Sequence, residues 1–271
     1  MILITNDDGY NSLGIRELYS NASKTALGAY MVAPDRVRSA SGMSITFMEP
    51  LRATPLDRYG IRGYSISGYP ADTVFMAKNT LLKDSNIDLI ASGINHGSNI
   101  SLRSLYTSGT ISAAMTGALI GIKGMAFSIA LENSNDYNSA DFEKAGIISR
   151  SIINEFVKNG FPKNVDVLNI NFPSRINEKT TIDVVPMYVN AFIDSISENK
   201  DPNGIKYYWF GNKFSKSYEK NTDYYTVMYE NNISVTPLSV NGHSINDFAT
   251  TRKFFENVMD SLYSSEGFEK Y

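Results

Sequence analysis

Short apolar runs alternate with stretches of helical periodicity over the first two thirds of the chain. Ile2-Leu3-Ile4 reads as an opening strand that stops abruptly at Asn6-Asp7-Asp8-Gly9. Leu13, Leu18, Ala22 and Ala26 mark a helix closed by Gly28. Residues 29–33 predict a second strand, stopped by Pro34-Asp35, and residues 63–67 a short third. A helix is expected over 70–82, with Pro70 near its N-terminus, where a missing N–H costs nothing. Residues 87–91 predict a buried strand, followed by a Gly-rich loop over 92–99. A small-residue helix at 111–122 and a strand at 125–130 come next. The pattern then gives an amphipathic helix at 141–158, with Phe142, Ala145, Ile148, Ile152 and Phe156 on one face, and a strand at 165–172.

Such alternation implies an α/β fold, a mostly parallel sheet with helices on both faces. Ligands bind such sheets beyond the carboxyl ends of the strands. The polar clusters fall there: 6–9 after the first strand, 36–44 after the second, 92–99 after the strand at 87–91. From about Thr181 the texture changes. Aromatic and β-branched segments at 184–190, 206–211 and 224–237 are separated by polar stretches at 194–204 and 212–223. We expect a core over 1–180, an extended β-rich arm over 181–240, and a C-terminal helix from about Asn246 to Tyr263 within 241–271. Tyr207, Tyr208, Trp209 and Phe210 suit either base stacking or, more commonly, a core or subunit interface.

Composition narrows the function classes. A chain of 271 residues with 42% hydrophobic and 20% charged residues has the make-up of an ordinary globular protein. A net charge of -3 without a long basic block gives no support to extended nucleic-acid binding. The absence of cysteine removes disulfides, thiolate metal sites and a cysteine nucleophile. It suits a cytoplasmic setting. No secretory signal pattern and no apolar run long enough for a membrane span is visible.

The chemistry concentrates in a few loops. Asp7 and Asp8 at the tip of a strand repel each other unless something positive sits between them. A hard divalent cation such as Mg²⁺ or Mn²⁺ meets that need with oxygen ligands; an Asp-rich turn is the plain alternative. Ser39, Ser41 and Ser44 lie in a loop flanked by Arg36 and Arg38. Asn95, between Gly93 and Gly97, offers an amide oxygen where backbone can approach a ligand. Ser108-Gly109-Thr110 opens a helix, either as a phosphate site or as an ordinary cap. His96 reads as a surface or supporting histidine, and His243 has no constellation around it.

Taken together and in this order, the motifs resemble the SurE family of metal-dependent 5′-nucleotidases. The match runs through T-N-D-D-G at 5–9, A-P-D-R at 33–36, R-S-A-S-G at 38–42, G-Y-P-A-D at 68–72 and S-G-I-N at 92–95. It continues with S-G-T at 108–110, L-N-I-N-F-P at 168–173, Y-Y-W at 207–209 and S-V-T-P-L at 234–238. The resemblance implies a Rossmann-like core and hydrolysis of nucleoside monophosphates at the 5′ position, with 3′ attack open. It further implies one divalent ion per subunit, Mg²⁺ or Mn²⁺, and a homodimer or dimer of dimers. Metal ligands carry over to Asp7, Asp8, Ser39 and Asn95, with Asp7 and Asp8 catalytic. Phosphate contacts fall to Ser41, Gly42, Asn95, Ser108, Gly109 and Thr110. Met43 stands where a polar residue is expected. A non-catalytic nucleotide- or phosphate-binding protein is the rival reading; a receiver-type module would be about half as long and would lack the Ser39 and Asn95 loops.

Overall fold

The computed structural model describes residues 1–57, 60–131 and 139–241. The helix expected at 246–263 and His243 lie outside them. Residues Met1–Leu238 form one compact unit, which holds the strands and helices of the described residues.

Strand β1 (Ile2–Thr5) is buried along its whole length. Its alternation sends Ile2 and Ile4 into one core cluster and Leu3 into another, so both faces of the strand are covered. Parallel to it or to one another run β2 (Ala29–Pro34), β4 (Gly63–Ile66), β5 (Leu89–His96), β6 (Gly124–Ile129) and β7 (Val167–Phe172). The edges are finished by β3 (Ala53–Pro55), antiparallel to β4, and by β11 (Ile233–Leu238) and β8 (Ile182–Val184) beyond β7. The order across the nine strands is β3-β4-β2-β1-β5-β6-β7-β11-β8. The chain steps outward from β1 to β2 on one side and returns to β5 on the other. The carboxyl ends of β1 and β5 therefore flank a topological switch point.

Helices α1 (Leu13–Ala22) and α5 (Ser139–Asn159) cover one face, burying Ile15, Leu18, Phe142, Ala145 and Ile153 with Ile2 and Ile4. Helices α2 (Pro70–Met76) and α4 (Gly109–Leu119) cover the other, where Val74 and Ala113 pack with Leu3. The expected α/β architecture is present.

Several elements differ from expectation for local reasons. α1 stops at Ala22 rather than Ala26, because Ser23 and Thr25 hydroxyls donate to the Tyr19 and Ala22 carbonyls and compete for the last turn. The helix expected over 70–82 begins as α-helix and finishes in a π-helical turn, Ala77–Leu81. The stretch 92–96, expected as loop, is a continuation of β5, with a register irregularity between Ser92 and Asn95. A short helix α3 (Ser101–Thr107) and strand β3 carried no hydrophobic pattern to announce them.

The region 181–240 divides. β8 and β11 complete the main sheet, and 223–228 forms helix α6 (Asp223–Met228), capped by Thr222. Only a hairpin stands apart, β9 (Phe192–Lys200) paired with β10 (Lys206–Phe214) from Phe192↔Phe214 to Lys200↔Lys206. Most of the polar stretch 194–204 is thus strand. At the hairpin's base Arg103 of α3 pairs with Asp194 and lies 5.4 Å and 5.3 Å from the Phe192 and Phe210 rings.

Gly14 lets α1 run directly against β5: a Cβ there would fall 1.8 Å from the Ile94 carbonyl oxygen. Gly14→Ala must push the helix off the strand that carries Asn95. Overpacking of this kind costs about 1–3 kcal/mol, so the thermal midpoint should drop by several degrees. A melting curve unchanged from the parent would remove this contact as a constraint.

Candidate active site

β1 ends in a turn that Asn6 ties together, its amide bonding the Gly9 backbone at both N–H and C=O and reaching Ser12 Oγ at 3.0 Å. The turn directs two neighbouring carboxylates differently. Asp7 is buried, and its Oδ1 accepts the Thr110 hydroxyl at 2.5 Å. The Gly109 N–H also reaches it, so the N-terminus of α4 is aimed at this carboxylate. Asp8 is half-buried and accepts the backbone N–H of His96 at 3.0 Å, which ties it to the end of β5.

Burial pushes Asp7 up to about 7, with Asp8 adding repulsion and Thr110 and Gly109 opposing. Asp8 is raised as well, chiefly by burial. Among the described residues the charge that opposes this is His96 beside Asp8, an imidazole whose own burial disfavours its charged form. Among the described residues no group of three or more His, Cys, Asp or Glu gathers to hold a metal ion. Any cation here would rest on these two carboxylates and neutral oxygens.

Neutral oxygens are at hand. The Asn95 amide donates to the Gly97 carbonyl at 2.7 Å, which orients its carbonyl oxygen as the free end. The loop after β2 is drawn in by the Arg38 N–H, which donates to the Asp7 carbonyl at 2.7 Å; Ser39 follows and is exposed. Ser41 Oγ is buried without a partner. Gly109 packs directly against it, since a Cβ there would fall 2.9 Å from Ser41 Oγ and 3.0 Å from Asp7 Oδ2. The carboxylate and hydroxyl oxygens gathered against this bare backbone are of the kind a hard cation or a phosphoryl group favours.

The structure draws the expected loops to one end of the sheet, but it commits some of their polar groups elsewhere. The Gly42 N–H donates to the Thr107 carbonyl at 2.9 Å. Ser108 Oγ accepts the Ile111 N–H at 3.1 Å and so caps α4. Thr110, expected on phosphate, is fully buried with its hydroxyl on Asp7. His96 packs edge-on against Phe142 at 4.7 Å, and its Nε2 accepts the Gly14 N–H at 3.3 Å. Burial lowers its pKa.

A buried polar network behind the site went unassigned from sequence. Asn99 donates through its backbone to Asn171 Oδ1 at 2.7 Å and through its side chain to Ser128 Oγ at 2.8 Å. Its carbonyl accepts Asn169 Nδ2 at 3.0 Å. Asn95, Ser128, Asn171 and Ser234 lie in register across β5, β6, β7 and β11. These contacts fix the 95–99 segment from beneath. The available signal was Asn169 and Asn171, two amides alternating inside an otherwise apolar strand.

Comparison with known proteins shows the family to which this fold belongs. The family model described as "Survival protein SurE" matches residues 2–193. A "5'-nucleotidase SurE" of Picrophilus torridus is 51% identical over 266 residues, covering 97% of this chain and all of the relative (100%). Another of that name, from Pyrobaculum arsenaticum, is 38% identical and covers 96% of each chain. The crystal structure of the SurE protein from Aquifex aeolicus superimposes with a TM-score of 0.79 at 32% identity, over 94% of this chain and 99% of that one. With its two carboxylates at the β1–β5 switch point and this likeness along its length, the chain belongs to the SurE family.

Proposed function

We propose that this protein is a divalent-metal-dependent phosphomonoesterase that releases phosphate from nucleoside monophosphates, a 5′-nucleotidase. The carrying observation is the buried Asp7 beside Asp8, packed against the Gly109 backbone and the unpartnered Ser41 hydroxyl. Relatives named 5'-nucleotidase SurE match nearly the whole chain, which supports the same activity.

Asp7, Asp8, Ser39 and the Asn95 carbonyl would hold one Mg²⁺ or Mn²⁺ ion. A bound divalent ion supplies charge neutralisation, polarisation of a phosphoryl oxygen and a more acidic water. Ser41 Oγ and the Gly109 segment line the phosphoryl position. Thr110 acts through Asp7, fixing one carboxylate oxygen and leaving the other beside Gly109. Of the two carboxylates, one takes a proton from the attacking water or itself attacks phosphorus. An acid-stable phosphoenzyme after quenching marks the second route.

The hairpin supports assembly. Ile196, Tyr208, Trp209 and Phe210 are 70%, 59%, 67% and 61% exposed on the isolated chain. Large apolar patches of this kind are normally covered. A second copy is the economical cover, in a homodimer or dimer of dimers where Trp209 becomes buried. No helix among the described residues is long and apolar enough to cross a membrane; the cysteine-free composition favours the cytoplasm.

Phosphate release from AMP should require added Mn²⁺ or Mg²⁺, and Asp7→Asn or Asp8→Asn should abolish it. Asp7→Asn has a second readout, in metal-free protein. An unfolded aspartate ionises near pH ~3.9, whereas folded Asp7 does so at about 7. Between these values the unfolded state binds fewer protons, so stability falls as pH rises through this window. Removing the carboxylate should flatten that decline and leave the variant more stable than the parent above pH 7 in denaturant titrations with chelator. A parallel decline in both proteins assigns the slope elsewhere.

Thr110→Val leaves Asp7 without its tether. Metal affinity should weaken by about 10–100-fold, the usual effect of losing a group that orients a ligand. Calorimetric titration with Mn²⁺ reads this directly; normal metal affinity with lost turnover would return Thr110 to the phosphate. For assembly, light scattering should give a mass of at least twice 30.1 kDa at micromolar protein. A monodisperse monomer, or a dimer unaffected by deleting 192–214, overturns the hairpin interface.

A further inference from the structure

Asp223, the first residue of α6, is fully buried and forms no ion pair among the described residues. Burial pushes its pKa up to about 6, against three backbone N–H groups that favour the charge. Keeping a charge in such a place is costly, and its effect is to join segments far apart in the chain. Oδ2 accepts the Ser101 N–H at 2.7 Å, and Oδ1 accepts those of Tyr188 and Tyr224 at 2.8 Å and 2.7 Å. Two backbone bonds flank the carboxylate: the Leu102 N–H donates to the Tyr188 carbonyl and the Asp223 N–H to the Pro186 carbonyl, both at 2.9 Å. Ile100 is buried with Tyr224 and Val227 in one apolar cluster.

Ser101 stands in a conformation that its side chain resists. Its φ is 75°, in the left-handed region. Its hydroxyl is buried without a partner, so the residue is kept there through its backbone, by Asp223. From Ser101 the seven residues of α3 span about 10 Å. At the far end the Thr107 carbonyl accepts the Gly42 N–H at 2.9 Å, and Ser108 caps α4, whose Gly109 and Thr110 contact Asp7. Behind the near end Asn99 is anchored to Ser128 and Asn171. A tilt of α3 would therefore displace the Ser41–Gly42 loop and the start of α4 together.

We infer that Asp223 is a positioning residue for the reaction: by clamping Ser101 in its left-handed conformation it sets the direction of α3, and with it the Ser41–Gly42 loop and the N-terminus of α4 at Asp7. The inference rests on the nucleotidase reading. Asp223 touches neither metal nor phosphate in that reading and acts only through α3. A residue that merely stabilised α6 would change melting and leave the turnover of folded molecules alone.

The test uses the full chain with Mn²⁺, at temperatures where melting curves show each variant folded. Asp223→Asn keeps the size of the side chain but turns one acceptor oxygen into an amide donor facing N–H groups. With AMP, kcat should fall by about tenfold, a usual effect of losing a group that orients ligands from outside. KM should stay within about twofold, because contacts made in the ground state remain. Adding Ser101→Gly to that variant should restore most of the lost turnover, since glycine enters the left-handed region without a clamp. A loosened α6 would gain nothing from that second change. Unchanged kcat in Asp223→Asn, or a loss that Ser101→Gly leaves in place, overturns the positioning role. Should Asp223→Asn fail to fold, Asp223→Glu, which keeps the charge but displaces it by one methylene, takes its place in the same series. If the parent releases no phosphate from AMP, the nucleotidase reading falls. Mn²⁺ affinity, expected to drop and recover along the same variants, then decides the role of Asp223.

Discussion

The site is organised around one costly act, the burial of the Asp7 carboxylate at the end of a central strand. A carboxylate in that position resists ionisation unless positive potential reaches it. The chain supplies part of it by pointing the N-terminus of α4 at Asp7, with the Gly109 N–H and Thr110 hydroxyl in contact. The absence of a side chain at position 109 follows from the same demand, since any Cβ would collide with Asp7 itself, 2.7 Å from its Cβ. Asp8, one residue on, is too close to ionise independently and adds to the deficit of positive charge. Helix dipole and hydroxyl together leave the pair under-compensated, and that remainder is what a divalent cation is suited to meet.

Such a site needs its neutral ligands held still, because neutral oxygens bind metal only when presented without reorganisation. The extension of β5 to His96 provides this. Ser92 remains in the ladder with Thr5 of β1, and Asn95 rejoins it opposite Ser128 after the irregularity between them. Below, Asn99 is bonded from two sides by Asn169 and Asn171. A buried amide network is stabilising only when its members are nearly all satisfied. Asn99, four residues beyond Asn95, is thereby tied to β6 and β7, although Asn169 Oδ1 is left without a partner.

Much of this was legible in the chain, for identifiable reasons. Strands buried on both faces, such as Ile2–Thr5 and Gly124–Ile129, are apolar but for one small hydroxyl each, Thr5 and Ser128. Asp7, Asp8, Asn95 and the serines stood out because polar residues follow apolar runs abruptly. Hidden features were those whose residues serve two solvents or two partners. β9 is exposed along nearly its whole length, so Asp194, Ser195, Ser197 and Glu198 read as loop although they form ladder pairs with β10. α6 carries Tyr224, Tyr225 and Val227, residues with strand preference, yet its Thr222 cap and the buried Asp223, which binds the Ser101 and Tyr188 N–H groups, impose a helix. Thr110 and Ser108, expected on phosphate, engage Asp7 and the Ile111 N–H in this structure, partners that composition does not announce.

That choice of partners bears on catalysis against mere binding. A protein built only to retain a phosphate would leave its helix N-terminus and loop amides free for the ligand. Here the Gly42 N–H is given to Thr107, the Ser108 oxygen to its own helix and the Thr110 hydroxyl to Asp7. Two carboxylates then face the place where a dianion must sit, which by itself repels the ligand. The arrangement weakens ground-state capture of phosphate and concentrates oriented polarity on a pair of acids. A cation held by Asp7 and Asp8 would supply the missing positive charge, and the oriented groups around the pair would then serve the transition state more than the bound substrate.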